Sequence, residues 1–282
     1  LQGEPGTGKT LLARSIHAAG KSASQPFLAV YCGAVDELTL ERELFGHAAG
    51  PRGDGTPGQA GLVEEASGGT LLLEEVGELS RALQGALLRL LEAGHFERIG
   101  ETRTREAQLR VIATTTADLE AAVRKGEFRR DLLARLCAPR ITAAPLRTRR
   151  GDIREIAMHL LRDEAQRLGV SPLRLTSSAL DRLSRYPFPG NLRELAGEIE
   201  RLYATLTPGS TVQAVDLAAG IRQCDELEIR RYAEAVRAFK RRLISTVMAE
   251  CTGHQGRAAE ELGLHRSNLS RIIRDLDLND VV

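Results

Sequence analysis

A glycine-rich segment at the start of the chain restricts its fold more than any other feature. The pattern G-x-x-x-x-G-K-[ST] is matched in full by the run Gly3-Glu4-Pro5-Gly6-Thr7-Gly8-Lys9-Thr10. In such a loop the glycines let backbone N–H groups surround a phosphate, and the helix that follows adds partial positive charge. The sequence therefore predicts a nucleotide site in which Lys9 reaches the outer phosphates and the Thr10 hydroxyl binds Mg²⁺.

Two acidic residues at the end of an apolar segment extend this prediction. Residues 68–75 read GGTLLLEE, which is typical of a buried strand with carboxylates at its end. Ligands of open parallel sheets bind outside that carboxyl edge. We expect Glu74 to hold Mg²⁺ and Glu75 to polarise the water that attacks the terminal phosphate.

The first part of the chain alternates short apolar segments with longer amphipathic ones. Candidate strands are Phe27–Tyr31, Thr70–Leu73 and Arg110–Thr114. Candidate helices are Lys9–Ala19, Glu37–Phe45, Arg81–Ala93 and Arg129–Leu136. This order predicts an α/β domain whose parallel sheet is covered on both faces, with a Gly- and Pro-rich loop at Gly46–Gly61.

From Asp152 onward the pattern is helical only. A first helix is predicted to end at Gly169 and to bury one face, which consists of Ile153, Ile156, Ala157, Leu160, Leu161 and Leu168. A second helix is expected near Ser177–Tyr186. A third begins after Pro189 with Asn191 as its N-cap, and it turns inward Leu192, Leu195, Ile199 and Leu202.

The C-terminal segment predicts a helix-turn-helix. Its first helix has an apolar face for the core or for a dimer contact, made of Val236, Phe239, Leu243 and Val247. Two short helices, Gln255–Leu262 and Arg266–Leu276, follow around a turn at Gly263. The second would enter the major groove of DNA; the alternative is a helical hairpin with a solvated basic face. Its outward side chains are His265, Arg266, Ser267, Asn268, Ser270, Arg271 and Arg274.

The composition narrows the class of protein further. The formal net charge is +1, so any contact with nucleic acid must come from a local patch. No apolar run approaches the roughly 18 residues that a membrane span requires. The four cysteines form no C-x-x-C pair, which favours reduced thiols and a cytoplasmic location. We expect the start at Leu1 to be the cut edge of a longer chain, with any receiver or sensor domain upstream.

Six segments and the C-terminal helices together resemble one family, the sigma-54-dependent transcriptional activators or bacterial enhancer-binding proteins. The segments are GEPGTGKT at 3–10, ELFGH at 43–47, GGTLLLEE at 68–75, GEFRRDLLARL at 126–136, PLRTRRGDI at 145–153 and YPFPGNLREL at 186–195. The resemblance covers essentially the whole chain, and the end of the chain resembles a Fis-type domain.

The resemblance implies an architecture and a set of partners. It implies an AAA+ P-loop NTPase domain (1–145), a helical lid (146–206), a linker (207–233) and a Fis-type helix-turn-helix domain (234–282). ATP and Mg²⁺ are the implied cofactors, and double-stranded DNA and RNA polymerase are the implied partners. A homo-oligomer, from dimer to hexameric ring, is implied as well.

The resemblance also assigns roles to individual residues. Arg129 and Arg135 match the arginines that reach the γ-phosphate bound by the neighbouring subunit, where a guanidinium stabilises charge on the transferring phosphoryl group. Arg193 matches the lid arginine that senses nucleotide in its own subunit. Thr116 stands where the family has the Asn that senses the γ-phosphate.

Several positions depart from the family pattern. Gly50-Pro51-Arg52-Gly53-Asp54-Gly55 replaces the GAFTGA loop whose Phe and Thr contact sigma-54, which argues against sigma-54 remodelling. Glu74 replaces Asp, Tyr31 replaces an Asn that restrains the catalytic acid, and Thr116 replaces Asn. Nucleotide binding is thus a firmer prediction than rapid ATP turnover.

Two hypotheses follow. The first is an ATP-dependent, DNA-binding transcriptional regulator of the sigma-54 activator type, whose AAA+ ring couples ATP to transcription initiation. The second is a sigma-54-independent DNA-binding regulator whose AAA+ module is a nucleotide-responsive oligomerisation switch.

Overall fold

The computed structural model describes residues 1–49, 58–137, 139–223, 236–237, 239–248, 251 and 254–276. They divide into two compact units. Unit 1 consists of Leu1–Leu173 and Pro187–Ser210, and unit 2 of Arg174–Tyr186 and Thr211–Val282.

The secondary structure combines short strands with helices. The strands are β1 (Phe27–Tyr31), β2 (Thr70–Glu74), β3 (His95–Glu97), β4 (Thr104–Glu106), β5 (Arg110–Ala113), β6 (Arg174–Leu175) and β7 (Thr211–Val212). The helices of unit 1 are α1 (Lys9–Ala18), α2 (Glu37–Phe45), α3 (Leu62–Glu65), α4 (Arg81–Ala93), α5 (Leu119–Lys125), α6 (Arg130–Leu136), α7 (Ile153–Leu168) and α9 (Asn191–Thr205). Unit 2 has α8 (Ser177–Arg185), α10 (Ala219–Arg222), a helical stretch at 239–248 (α11), α12 (Gln255–Glu261) and α13 (Arg266–Asp275).

A parallel sheet in the order β1-β2-β5 forms the centre of unit 1, which confirms the predicted α/β class. The central strand is buried on both faces, because alternate residues of a strand point to opposite sides. Leu72 packs with Ala13 of α1 on one side. Leu71 and Leu73 join the larger core on the other side, together with residues of α2 and α4.

A small antiparallel hairpin of β3 and β4 was not predicted from the sequence. The hairpin lies next to the Gly- and Pro-rich loop. The backbone of His47, in this loop, pairs with Gln59 near the end of the loop and with Ile99 between β3 and β4. Residues 50–57, which include the departure from GAFTGA, lie outside the described residues.

The helices that follow the sheet differ from prediction at two residues. Helix α7 ends at Gly169, in the left-handed conformation with φ of 68°, as predicted. Leu168 is 46% exposed, however, because it lies in the last turn, and Ala165 is the buried residue there. Asn191 is not the N-cap of α9: Gly190 occupies that position, and the Asn191 side chain is buried in other contacts.

Unit 2 contains the predicted helix-turn-helix. Helices α12 and α13 pack around Ala258, Ala259, Leu269 and Ile273, and Gly263 turns between them with φ of 65°. Helix α11 adds Val247 to this core, whereas Phe239 and Leu243 are exposed. In the described part of the chain, no helix combines the length and the apolar character that crossing a membrane demands.

Candidate functional site

The glycine-rich loop adopts backbone conformations that only glycine accepts readily. Gly6 and Gly8 have φ of 76° and 93°, in the left-handed region. A Cβ on Gly6 would lie 2.2 Å from the carbonyl oxygen of Gly190, so a side chain there is excluded. Thr7 closes the turn, since its hydroxyl donates to the carbonyl oxygen of Glu4 at 2.9 Å. At Gly6 and Gly8, the backbone of the loop that leads into α1 is therefore not covered by side chains of its own.

Lys9 crosses the inside of this loop and is nearly buried. Its Nζ donates to the carbonyl oxygens of Gly3 and Glu4 at 2.8 and 3.2 Å. The same ammonium lies 3.6 Å from Glu75 Oε1. These contacts hold one positive charge at the mouth of the loop, where an anionic phosphate can bind.

Glu74 ends β2 and Glu75 follows it directly, beside the loop, as predicted. Glu74 Oε2 accepts a hydrogen bond from the Thr10 hydroxyl at 3.1 Å, which brings together the two residues predicted to hold Mg²⁺. Hydroxyl and carboxylate oxygens are ligands of the type that Mg²⁺ prefers, so the pair fits this ion. Glu75 lies in the left-handed region with φ of 55°, an uncommon conformation for a residue with a side chain.

Thr116 contacts Glu75 from the loop after β5. Its backbone N–H and its hydroxyl donate to Glu75 Oε2 at 2.7 and 2.8 Å.

Cys32 is a buried thiol near the two acids. Burial raises the pKa of this thiol to about 12, and the charges of Glu75 and Glu74 add smaller contributions. Cys32 therefore stays protonated at neutral pH and is not a nucleophile.

A cavity of about 880 Å³ joins the loop, the strand ends and helices α7 and α9. It is large enough for a nucleotide-sized ligand. Predicted site residues that line it are Pro5, Gly6, Gly8, Lys9, Thr10, Glu74, Glu75, Thr116 and Arg193. Tyr31 also lines this cavity and is 49% exposed.

Arg149 is a cavity residue that the sequence reasoning did not single out. One guanidinium nitrogen donates to the carbonyl oxygen of Thr7 at 3.3 Å. Its Nε is buried and makes no hydrogen bond to any residue that the structure describes. A buried donor without a partner costs free energy, and an anionic ligand in the cavity could satisfy it.

Glu4 contacts Arg147 and Asn191 and does not line the cavity. Both carboxylate oxygens accept from Arg147, at 2.6 and 2.5 Å, and the Asn191 amide donates to Glu4 at 3.3 Å and to the carbonyl oxygen of Pro5 at 3.0 Å. These hydrogen bonds lower the pKa of Glu4 to about 2. Sequence reasoning missed this network; its one signal was the position of Arg147 in the segment PLRTRRGDI.

Arg129 and Arg135 do not line the cavity of their own chain. Arg129 forms a bidentate ion pair with Asp131 at 3.0 and 2.7 Å, which lowers the pKa of Asp131 to about 2. Arg135 lies 3.8 Å from Glu92, and both side chains are about half exposed. A ligand in the same subunit's cavity is therefore out of contact with either arginine.

In unit 2, most of the predicted DNA-contacting side chains whose surroundings are described face solvent. His265, Ser267, Asn268 and Arg271 are exposed. Ser270 is half-buried and donates to Gln255 Oε1 at 2.9 Å, so it joins α13 to α12 instead of facing outward. The side chains of Arg266 and Arg274 lie outside the described residues.

Comparison with known protein families covers nearly all of this chain. The Sigma-54 interaction domain matches residues 1–142, the AAA+ ATPase lid domain 147–231, and the Fis family of bacterial regulatory proteins 235–275.

Individual relatives give the same result. The Nif-specific regulatory protein of Rhodobacter capsulatus is 42% identical over 82% of this chain and 40% of its own length. The sigma54-dependent transcriptional activator SfnR of Pseudomonas putida is 39% identical over 89% of this chain and 68% of its own length. Among solved structures, NtrX from Brucella abortus in complex with ADP has a TM-score of 0.71 and 31% identity, covering 98% of this chain and 64% of NtrX.

These matches agree with the geometry of the loop, the strand acids and the helix-turn-helix. The chain therefore belongs to the sigma-54-dependent transcriptional activators.

Proposed function

We propose that this chain binds ATP with Mg²⁺ and hydrolyses it to ADP and phosphate. The main support for this proposal is that Lys9, Thr10 and the two strand acids line the same cavity. The buried Nε of Arg149 adds an unsatisfied donor to the same cavity. NtrX, the structural relative, is described in complex with ADP.

Each residue of the site has a distinct task in this reaction. Backbone N–H groups of the loop and the Lys9 ammonium bind the phosphates, and Glu75 orients a water and accepts its proton. Thr10 and Glu74 would hold Mg²⁺, which neutralises charge on the outer phosphates when it is bound. Arg193 lies in the first turn of α9 and contacts the nucleotide from the lid side.

Assembly completes the site. Arg129 and Arg135 lie away from the cavity of their own chain, so they serve the nucleotide of an adjacent subunit. An arginine supplied in this way can raise the rate of phosphoryl transfer by about 10³- to 10⁵-fold. Hydrolysis then requires an oligomer, for which we propose the hexameric ring expected from the family.

The C-terminal unit directs this oligomer to DNA. Exposed Asn268 and Arg271 on α13 suit contacts with bases or phosphates in the major groove of double-stranded DNA. Phe239 and Leu243 form an exposed apolar pair on α11, which suits pairing of two such units. The partner of the ring is RNA polymerase carrying sigma-54, in line with the match to the Sigma-54 interaction domain.

One observation favours a second candidate function. The sequence from Gly50 to Gly55 lacks the aromatic and hydroxyl residues of GAFTGA, so the chain would act as a nucleotide-responsive oligomerisation switch on DNA without sigma-54. The comparisons support the first function and give the second no further support.

A transcription assay with sigma-54 polymerase separates the two functions. We expect ATP-dependent opening of promoter DNA by the wild-type chain, and none by Lys9→Ala. ATP hydrolysis and DNA binding without promoter opening would favour the switch. Absence of ATP binding by the wild-type chain would overturn both.

A further inference from the structure

Gln84 is a fully buried polar residue in α4, the helix that packs against α6. Its Nε2 donates to the carbonyl oxygens of Leu79 and Glu127 at 2.8 and 3.0 Å. Its Oε1 accepts the backbone N–H of Arg129 at 2.8 Å. One side-chain amide thus satisfies three backbone groups from two segments of the chain.

The surroundings make these hydrogen bonds important. Leu83, Leu87, Phe128 and Leu132 around them belong to the apolar core of unit 1. A backbone group buried in such a core without a partner destabilises the fold by its full desolvation free energy. An apolar residue in place of Gln84 would therefore leave the N–H of Arg129 unsatisfied at the position where α6 begins.

Hydrogen bonds hold both the backbone and the side chain of Arg129. Gln84 binds its backbone N–H, and Asp131 binds its guanidinium through two hydrogen bonds. Arg129 is the N-cap residue of α6, with the extended dihedral angles φ −79° and ψ 133°. A shift of this backbone would move the Arg129 guanidinium away from the position proposed for contact with the nucleotide of the adjacent subunit.

The same amide reaches back towards the strand acids. Leu79, whose carbonyl oxygen it binds, ends the short turn that connects β2 and Glu75 to α4. The segment that follows the proposed base Glu75 and the segment that carries Arg129 are thus held by one side chain.

We infer that Gln84 is a positioning residue for Arg129: it fixes the start of α6 so that the guanidinium reaches the nucleotide of the adjacent subunit. The inference rests on the proposed ATPase function, and it assigns to a buried core glutamine a role at the neighbour's site. Gln84 touches no nucleotide itself and acts only through Arg129.

The test uses Gln84→Met, which keeps the shape of the side chain and removes its hydrogen bonds. Loss of positioning by about an ångström can cost about 100-fold in rate, so we expect kcat for ATP to fall by roughly 10- to 100-fold while KM stays the same. Leu90→Ala is the matched control, because it removes a buried side chain of α4 more than one helical turn away from the amide. That control should lower thermal stability and leave kcat near wild type.

Mixing variants then shows which subunit carries the defect. Lys9→Ala has a defective nucleotide site and an intact Arg129, and Arg129→Ala has the reverse. Gln84→Met mixed with Lys9→Ala should recover activity, since the normal Arg129 of one subunit serves the intact nucleotide site of the other. Gln84→Met mixed with Arg129→Ala should recover none.

Other results overturn the inference. Recovery with Arg129→Ala would place the defect in the variant's own nucleotide site, and loss of ATP binding or recovery with neither partner would show a purely structural role. A mixture of Lys9→Ala and Arg129→Ala is the reference. If that mixture stays inactive, or if wild type hydrolyses no ATP, the proposed function fails; if the reference recovers, only the assignment of Gln84 is at stake.

Discussion

Thr116 donates two hydrogen bonds to the same carboxylate oxygen of Glu75, one from its backbone N–H and one from its hydroxyl. With Lys9 3.6 Å from the other oxygen, the carboxylate of Glu75 is held from both sides. Thr116 in the loop after β5 and Lys9 of α1 therefore restrain Glu75 together.

The substitution Thr116→Val should therefore impair turnover more than nucleotide binding. It removes the hydroxyl bond and keeps the backbone bond, and one hydrogen bond of about 1 kcal/mol corresponds to a roughly fivefold fall in kcat. Steady-state kinetics with ATP measure the effect, with Thr104→Val, at an exposed threonine of β4, as the control. A raised KM with unchanged kcat would instead mean that Thr116 contacts the nucleotide and not Glu75.

Arg147→Ala should weaken nucleotide binding although Arg147 does not line the cavity. The ion pair with Glu4 joins the phosphate loop to the turn before α7, whose Leu146 N–H donates to Asn191 of α9, and without it the lid loses one attachment. A fluorescent ATP analogue titrated against the variant should give a higher Kd than wild type. Arg154→Ala on α7, an exposed arginine, is the control; equal Kd values for the two variants would contradict the attachment.

The same ion pair predicts a pH dependence. The pKa of Glu4 is lowered from 4.5 to about 2 by Arg147 and Asn191, so the folded state favours the ionised carboxylate. Its contribution to stability is complete above pH 4.5 and decreases as the pH falls towards 2. Thermal unfolding between pH 5 and pH 2.5 should show a steeper loss of stability for wild type than for Glu4→Gln, and parallel curves would contradict this.

On the DNA-binding helix, Arg271 and Ser270 should behave differently. Arg271 is exposed, and Arg271→Ala should weaken DNA binding, with the salt slope smaller by about 1 if it contacts a phosphate. Ser270 bonds to Gln255, so Ser270→Ala should lower the stability of unit 2 and change DNA affinity less. Electrophoretic shifts at several salt concentrations and thermal unfolding measure both effects.

Features set by local pattern could be predicted from the sequence. The apolar run 71–73 identified the central strand because both of its faces are buried, and the caps Ser80 and Gly94 enclose a helix with the predicted bounds Arg81–Ala93. The phosphate loop and its acid partners were identified because each needs fixed residue types at fixed spacing.

Features set by contacts distant in sequence could not be predicted. Strands β3 and β4 have three residues each, too few for a period to show, and they are stabilised by pairing with each other. Asn191 has the chemistry of an N-cap, but its amide binds Pro5 and Leu146 instead. Gln84 and Arg149 gave no sequence signal. Two partners of Gln84, the backbone of Glu127 and Arg129, and the Thr7 carbonyl that Arg149 binds are all far along the chain.

We expect the site completed by Glu75 and by the neighbour's Arg129 to hydrolyse ATP only in an assembly. The most direct measurement is the rate of ATP hydrolysis per protomer over a wide range of protein concentrations, with Glu75→Gln as the blank. We predict a rate that rises with concentration to a plateau and falls by about 10²- to 10⁴-fold in the blank. A rate per protomer that is independent of concentration, or no higher than the blank while ATP is bound, would contradict the claim.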